Sequence, residues 1–179
     1  MLRPRLAVLI VMILAAAFSR LIPHPPNMAS VTAVALFGGA YFSDRRLAFL
    51  VPLAALFLSD LVLGFYHHME VVYSSFALIV FIGLWLQKKR SALHIAGAAM
   101  VSSILFFLLT NFGVWAFDSL YPMTLNGLIA CYVAAIPFFR NTLQGDLLYT
   151  AILFSGFALL EYRFTALRET AATTGALSA

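Results

Sequence analysis

Charge is scarce in this chain. Asp, Glu, Lys and Arg make up 10% of its 179 residues while 63% are hydrophobic, against about 25% charged in soluble domains. The shortage excludes an ordinary water-soluble globule. The apolar excess excludes a disordered chain, which needs low hydrophobicity and high charge. There is one cysteine, Cys131, so no intramolecular disulfide can form and no CxxC or Cys/His zinc spacing exists. No GxxxxGK[ST] phosphate loop, HExxH or GxSxG is present, and no serine–lysine or aspartate pair has the spacing of an intramembrane protease. These absences point away from an enzyme and from a resident cofactor or metal.

What is present is a series of apolar runs: Leu6–Ile22, Met28–Phe42, Leu47–Phe65, Val71–Leu86, Ala92–Phe117 and Asn141–Leu160. A bilayer core is about 30 Å thick and a helix rises about 1.5 Å per residue, so these runs predict six transmembrane helices in an all-α integral membrane protein. Residues 1–163 then form one six-helix domain, and 164–179 a tail on the side of the termini, disordered from Ala171. The second run covers only about 22 Å and needs a thinned bilayer or shielding by neighbours. Gly127–Phe139 is apolar but too short to span, and is read as an interfacial or re-entrant helix ended near Pro137.

The basic residues set the direction. Arg3 and Arg5 precede the first run, Arg45 and Arg46 join the second to the third, Lys88, Lys89 and Arg90 join the fourth to the fifth, and Arg163 and Arg168 follow the last. Of eleven basic residues, only Arg20 and Arg140 fall on the other side. The positive-inside rule places both termini in the cytoplasm. The net charge of +4 is thus a topology signal and requires no nucleic acid. Arg3, Arg5, an apolar run and Ala15-Ala16-Ala17 also have the form of a cleavable leader, and charge counting does not separate the two readings.

Polar groups inside hydrocarbon are costly, so their positions point to function. Asp60 lies about 20 Å up its helix from the cytoplasmic end, and Asp146 about 8 Å below the outer end of the last. Asn111 is near the outer end of the fifth, followed by Trp115. His24 and Asn27 lie in the first outer loop, Tyr121 in the third, and Arg140 and Asn141 above Asp146. The cytoplasmic half is nearly all Leu, Ile, Val, Phe and Ala. This one-sided polarity describes a cup open to the outside, since an ion path would need polar groups through the whole depth. Structural readings stand beside it. Asp60 and Arg140 could form one buried ion pair, Asp146 could be satisfied by Thr142 and Thr150, and Trp115 and Tyr121 could be interface belt residues. His67-His68-Met69-Glu70 offers metal donors or simply faces water. Cys131 reads as a small buried apolar residue.

Several segments resemble a known group. Pro23-His24-Pro25-Pro26-Asn27, Ala35–Phe42, Leu58–Gly64, Leu109–Trp115 and Ile136–Leu143 resemble small bacterial membrane proteins of uncharacterised function. That group is similar to the substrate-binding S components of energy-coupling factor vitamin transporters. The likeness spans about residues 18–160. It implies six helices with cytoplasmic termini, a vitamin pocket at the outer side, and docking on an energising ATPase and transmembrane module. Ala15-x-x-x-Ser19 loosely matches the AxxxA docking motif of such proteins. Leu2 stands where the nickel and cobalt type has a histidine. His24, Asp60 and Arg140 are placed as in the cobalamin type, whose cysteine in the third outer loop region has no counterpart in Tyr66–Ser75.

The leading expectation is membrane-embedded capture and uptake of a small vitamin-like micronutrient, with a cobalamin among the candidates. His24, Asn27, Asp60, Asn111, Arg140, Asn141 and Asp146 are the expected polar contacts, with Trp115 and Tyr121 as stacking surface. Arg140 would pair a ligand carboxylate or phosphate. Two other classes stand beside this one: a structural subunit of a membrane complex packing through Ala29-x-x-x-Ala33 and Ala130-x-x-x-Ala134, and a proton-coupled transporter using Asp60 and Asp146.

Overall fold

The computed structural model describes residues 4–168; residues 1–3 and 169–179, with Arg3 and the tail from Ala171, lie outside the described residues. Those described form six α-helices and no strand: α1 (Pro4–Phe18), α2 (Val31–Tyr41), α3 (Arg45–Leu63), α4 (Met69–Leu86), α5 (Ala92–Phe117) and α6 (Leu125–Arg163), with short 3-10 turns at Ser19–Leu21 and Thr165–Leu167. Local chemistry sets several boundaries. Asp44 accepts the Arg46 backbone N–H at 2.8 Å to start α3, and Thr124 accepts that of Gly127 at 3.1 Å to start α6, each satisfying an N–H that lacks an intrahelical partner. Gly64 closes α3 with φ +94°, a conformation that favours a residue without a Cβ.

Successive helices alternate in direction, so the bundle has two ends. At one end Arg5 of α1 forms an ion pair with Glu161 of α6, and the Arg90 guanidinium lies 4.8 Å from the centroid of the Tyr41 ring. Arg45 and Arg46, in the first turn of α3, and Lys88 and Lys89, in the α4–α5 turn, are at the same end. At the other, the mouth end, lie the α1–α2, α3–α4 and α5–α6 connections. Five helices are long and apolar enough to cross a membrane; α2 is shorter. Large apolar side chains such as Val11, Leu50, Phe81 and Ile152 are more than half exposed, as lipid-facing residues are.

The short second run resolves into a fully wrapped core helix. Ten of the eleven residues of α2, Thr32–Tyr41, are buried, and its most extensive contacts are with α4. Burial of this kind comes from close backbone approach. A Cβ on Gly39 would sit 2.8 Å from Gly83 Cα, and one on Gly83 would sit 2.8 Å from Gly39 Cα and strike the Leu36 carbonyl. Small residues allow helices in a membrane to gain dispersion contact and weak backbone contacts at short separation. Gly38 makes the matching approach to Pro52 of α3.

The predicted interfacial helix over Gly127–Phe139 is corrected. Residues 125–163 form one 39-residue helix with Pro137 inside it. Pro137 deletes only the bond to the Val133 carbonyl, a loss that membrane helices accommodate through neighbours and local adjustment. At about 1.5 Å per residue α6 is roughly 58 Å long, nearly twice a hydrocarbon core. Its N-terminal part runs beside the C-terminal part of α5: the Tyr132 hydroxyl donates to the Leu108 carbonyl at 2.7 Å, and Phe107 and Phe139 rings meet at 4.7 Å.

Gly83→Ala should therefore destabilise the protein by about 1–3 kcal/mol or more, the range of overpacked cores. Gly97→Ala, where a Cβ meets nothing within 4 Å, should be neutral or stabilise by up to about 1 kcal/mol. Thermal unfolding of the two variants in one detergent checks the contrast.

Candidate functional site

The mouth end holds a cavity of about 510 Å³, within the roughly 300–1,000 Å³ range of small-molecule sites. Its aromatic walls come from Phe106 and Phe107 of α5 and Phe138 and Phe139 of α6. Tyr66 of the α3–α4 loop and His24 and Asn27 of the α1–α2 loop stand at the rim. Thr32 and Asp146 also line it. On α6 the lining residues Ala135, Phe138, Phe139, Thr142 and Asp146 fall at i, i+3, i+4, i+7 and i+11, one stripe of a single helix.

Asp146 is buried, and its position follows from the start of α2. Ser30, the residue that would ordinarily cap α2, makes no side-chain cap bond; its hydroxyl donates instead to the Ala16 carbonyl at 2.5 Å. Asp146 reaches across from α6 and accepts hydrogen bonds from both the backbone N–H and the hydroxyl of Thr32. Ser103 of α5 donates to its Oδ2 at 2.7 Å. A carboxylate at a helix N-terminus meets both an unpaired N–H and the positive end of the helix dipole. One side chain thus joins α2, α5 and α6.

The second charged locus is Asp60 of α3, which is fully buried. Arg20, at the end of α1, pairs with its Oδ1 at 2.8 Å and donates to the Ser59 hydroxyl at 2.5 Å. The Tyr73 hydroxyl donates to Oδ2 at 2.9 Å, and Tyr66 adds a further hydrogen bond. Burial, then the Asp60 charge, pushes the Tyr66 phenol up to about 12, so it remains a donor. Arg20 borders the cavity, with Asp60 behind it.

The expected pairing of Asp60 with Arg140 is corrected: the partner is Arg20, because α1 packs on α3. Arg140 is exposed on α6 and does not line the cavity. His24, Asn27, Asn111 and Asp146 do line it. Asn111 spends its amide on the Phe107 carbonyl at 2.8 Å, leaving its own carbonyl oxygen. Asn141 donates to the Pro26 carbonyl at 3.0 Å, tying the first loop to α6 outside the cavity. The Trp115 indole donates to the Pro122 carbonyl at 3.0 Å in the α5–α6 corner, and Tyr121 lies in that same corner; neither lines the cavity. Asp146 is not satisfied by its own helix: Thr142 donates to the Phe138 carbonyl at 3.2 Å, and Thr150 is buried with an unpartnered hydroxyl.

His68 contacts Asp118 at 2.8 Å and Glu70 at 3.4 Å, linking the α3–α4 loop to the end of α5. The hydrogen bond to Asp118, with Glu70 adding, raises its pKa above the ordinary 6.5. Among the described residues no group of three or more His, Cys, Asp and Glu side chains is placed to hold a metal ion. Cys131 is buried, with its thiol against the Asn111 carbonyl at 3.4 Å. Sequence reasoning passed over Thr32, Ser103, Phe106 and Phe107, and counted Arg20, Phe138 and Phe139 at the outer end without assigning them a contact. Arg20 had a signal: it is one of two basic residues on the sparsely charged side.

A family model described as "Family of unknown function (DUF6580)" matches residues 1–167, and the chain belongs to that family. No curated protein and no solved structure matches the chain.

Arg20→Met should leave Asp60 buried without a counter-charge and cost about 3–5 kcal/mol, whereas Arg20→Met with Asp60→Leu should recover most of that loss. Thermal unfolding of single and double variants in detergent distinguishes this from simple loss of packing, which would make the double variant worse.

Proposed function

We propose that this member of the DUF6580 family is a membrane-embedded capture protein for a small vitamin-like molecule, which enters from the mouth end and serves uptake. The observation that carries the reading is the cavity itself: about 510 Å³, walled by aromatic rings, with a few fixed polar groups converging on it. This is the composition expected of a small-molecule site. Its size favours a compact ring system over a corrinoid.

The positive-inside rule supports an orientation with the Arg5 and Arg90 end in the cytoplasm and the mouth outside. Between the two ends the bundle is filled. Phe37, Tyr41, Phe154 and Phe157 make ring contacts with centroids 4.7–5.9 Å apart, and the Arg5 guanidinium lies 5.1 Å from the Phe157 ring centroid. A plug of this kind supports capture rather than open conduction. Release into the cell then requires a large rearrangement, for which an energising module is the fitting partner.

Native mass spectrometry of the protein in nanodiscs, followed by titration with a broad vitamin panel, tests the reading. At least one compound should bind at micromolar affinity or tighter. Phe107→Ala, which removes a wall ring, should weaken it about tenfold or more. Leu93→Ala, 81% exposed at the other end, should leave it unchanged. Absence of binding across the panel would overturn the proposal.

A further inference from the structure

We infer that the captured molecule carries a positive charge, received by the Asp146 carboxylate at the inner wall of the cavity. The inference rests on the capture reading and gives it a ligand class.

Four titratable side chains border the cavity: Arg20, His24, Tyr66 and Asp146. The Arg20 charge is already matched at 2.8 Å by Asp60. His24 lies on the exposed first loop with one ring nitrogen on the Pro25 carbonyl at 2.9 Å, and Tyr66 stays a neutral donor. Asp146 differs from all three. Its partners, the Ser103 hydroxyl and the Thr32 hydroxyl and N–H, are neutral, and among the described residues no ion pair is made to it. The cavity therefore presents one buried acidic group without a counter-charge.

A buried charge is costly unless paired, and hydrogen bonds from neutral donors offset only part of that cost. A ligand cation arriving beside Asp146 supplies the missing charge where water is largely excluded and Coulomb attraction is strong. The surrounding surface suits the same ligand. Phe106, Phe107, Phe138 and Phe139 line the same cavity, and aromatic rings attract a cation or stack on a flat heteroaromatic ring. An anionic ligand would meet none of this: Arg140, the cation that sequence reasoning offered it, is exposed outside the cavity. The ligand class is a compact cationic heteroaromatic or arylalkyl ammonium compound.

Titration of the full chain in nanodiscs with probes of three charge types tests the inference: thiamine and benzyltrimethylammonium as cations, riboflavin as a neutral, biotin and pantothenate as anions. A cation should bind at least thirtyfold more tightly than the neutral and anionic probes. Asp146→Asn, which keeps an acceptor oxygen for Thr32 while removing the charge, should weaken cation binding at least thirtyfold. Binding confined to neutral or anionic probes overturns the inference and leaves the capture reading standing. Cation binding unchanged in a folded Asp146→Asn protein also overturns it. Should that variant not fold, the charge series on the unaltered protein decides alone. Binding by none of the probes overturns the inference, and the broad vitamin panel then decides whether the capture reading falls with it.

Discussion

Asp146 supplies from α6 the acceptor that the first turn of α2 lacks, and much of the mouth end follows from that contact. A helix of eleven residues cannot carry both of its ends to the two surfaces of a bilayer, so its first N–H groups open inside the protein, at the floor of the cavity rather than at the membrane surface. Ser30 does not cap them because its hydroxyl is committed to the end of α1. The Asp146 bonds to Thr32 therefore fix how far α6 stands from α2, and the bond from Ser103 fixes α5 against both. Glycine contacts two turns further along α2 draw α4 in until backbones touch. The short helix is thus clamped at two levels by quite different physics, hydrogen bonding at its first turn and close packing near its last.

The cavity is what remains above that clamp. The N-terminal part of α6 continues beyond the α2 contact alongside α5, and the phenylalanines of both helices line the space between them and the loops. The Arg20–Asp60 pair plays a parallel part on the other wall, holding the end of α1 to α3. Below, the aromatic cluster around Phe37 and Tyr41 and the cation–π contacts of Arg5 and Arg90 close the bundle. A cavity at one end and ring packing towards the other divide the protein into a hollow half and a filled half.

Much of this was legible in the sequence. The long apolar runs gave the spanning helices, and Asp60, Asn111 and Asp146 were placed near one end by counting residues. Partner identity was not legible, because spacing along the chain says nothing about which helices become neighbours: Asp60 meets Arg20 because α1 packs on α3, not because of any motif. Pro137 misled for a physical reason. Read as a helix end, it hid the stripe from Ala135 to Asp146 that a continuous 3.6-residue period lays on one face. The same period turns Arg140 off that stripe. The need to shield α2 was visible as a shortage of length, but the close approach at Gly39 and Gly83 was not, because spacing along the chain does not say which glycines face each other.

The central claim is a cup that opens at the mouth end and does not continue through the ring-packed interior to the basic end. Cysteine labelling tests it directly. In a Cys131→Ala background, Thr142→Cys places a thiol in the cavity wall, and Arg45→Cys places one at the basic end. In intact spheroplasts a membrane-impermeant maleimide should modify Thr142→Cys and spare Arg45→Cys, with the pattern reversed in inside-out vesicles. Labelling of Thr142→Cys from the basic side, or from both sides equally, would contradict the account.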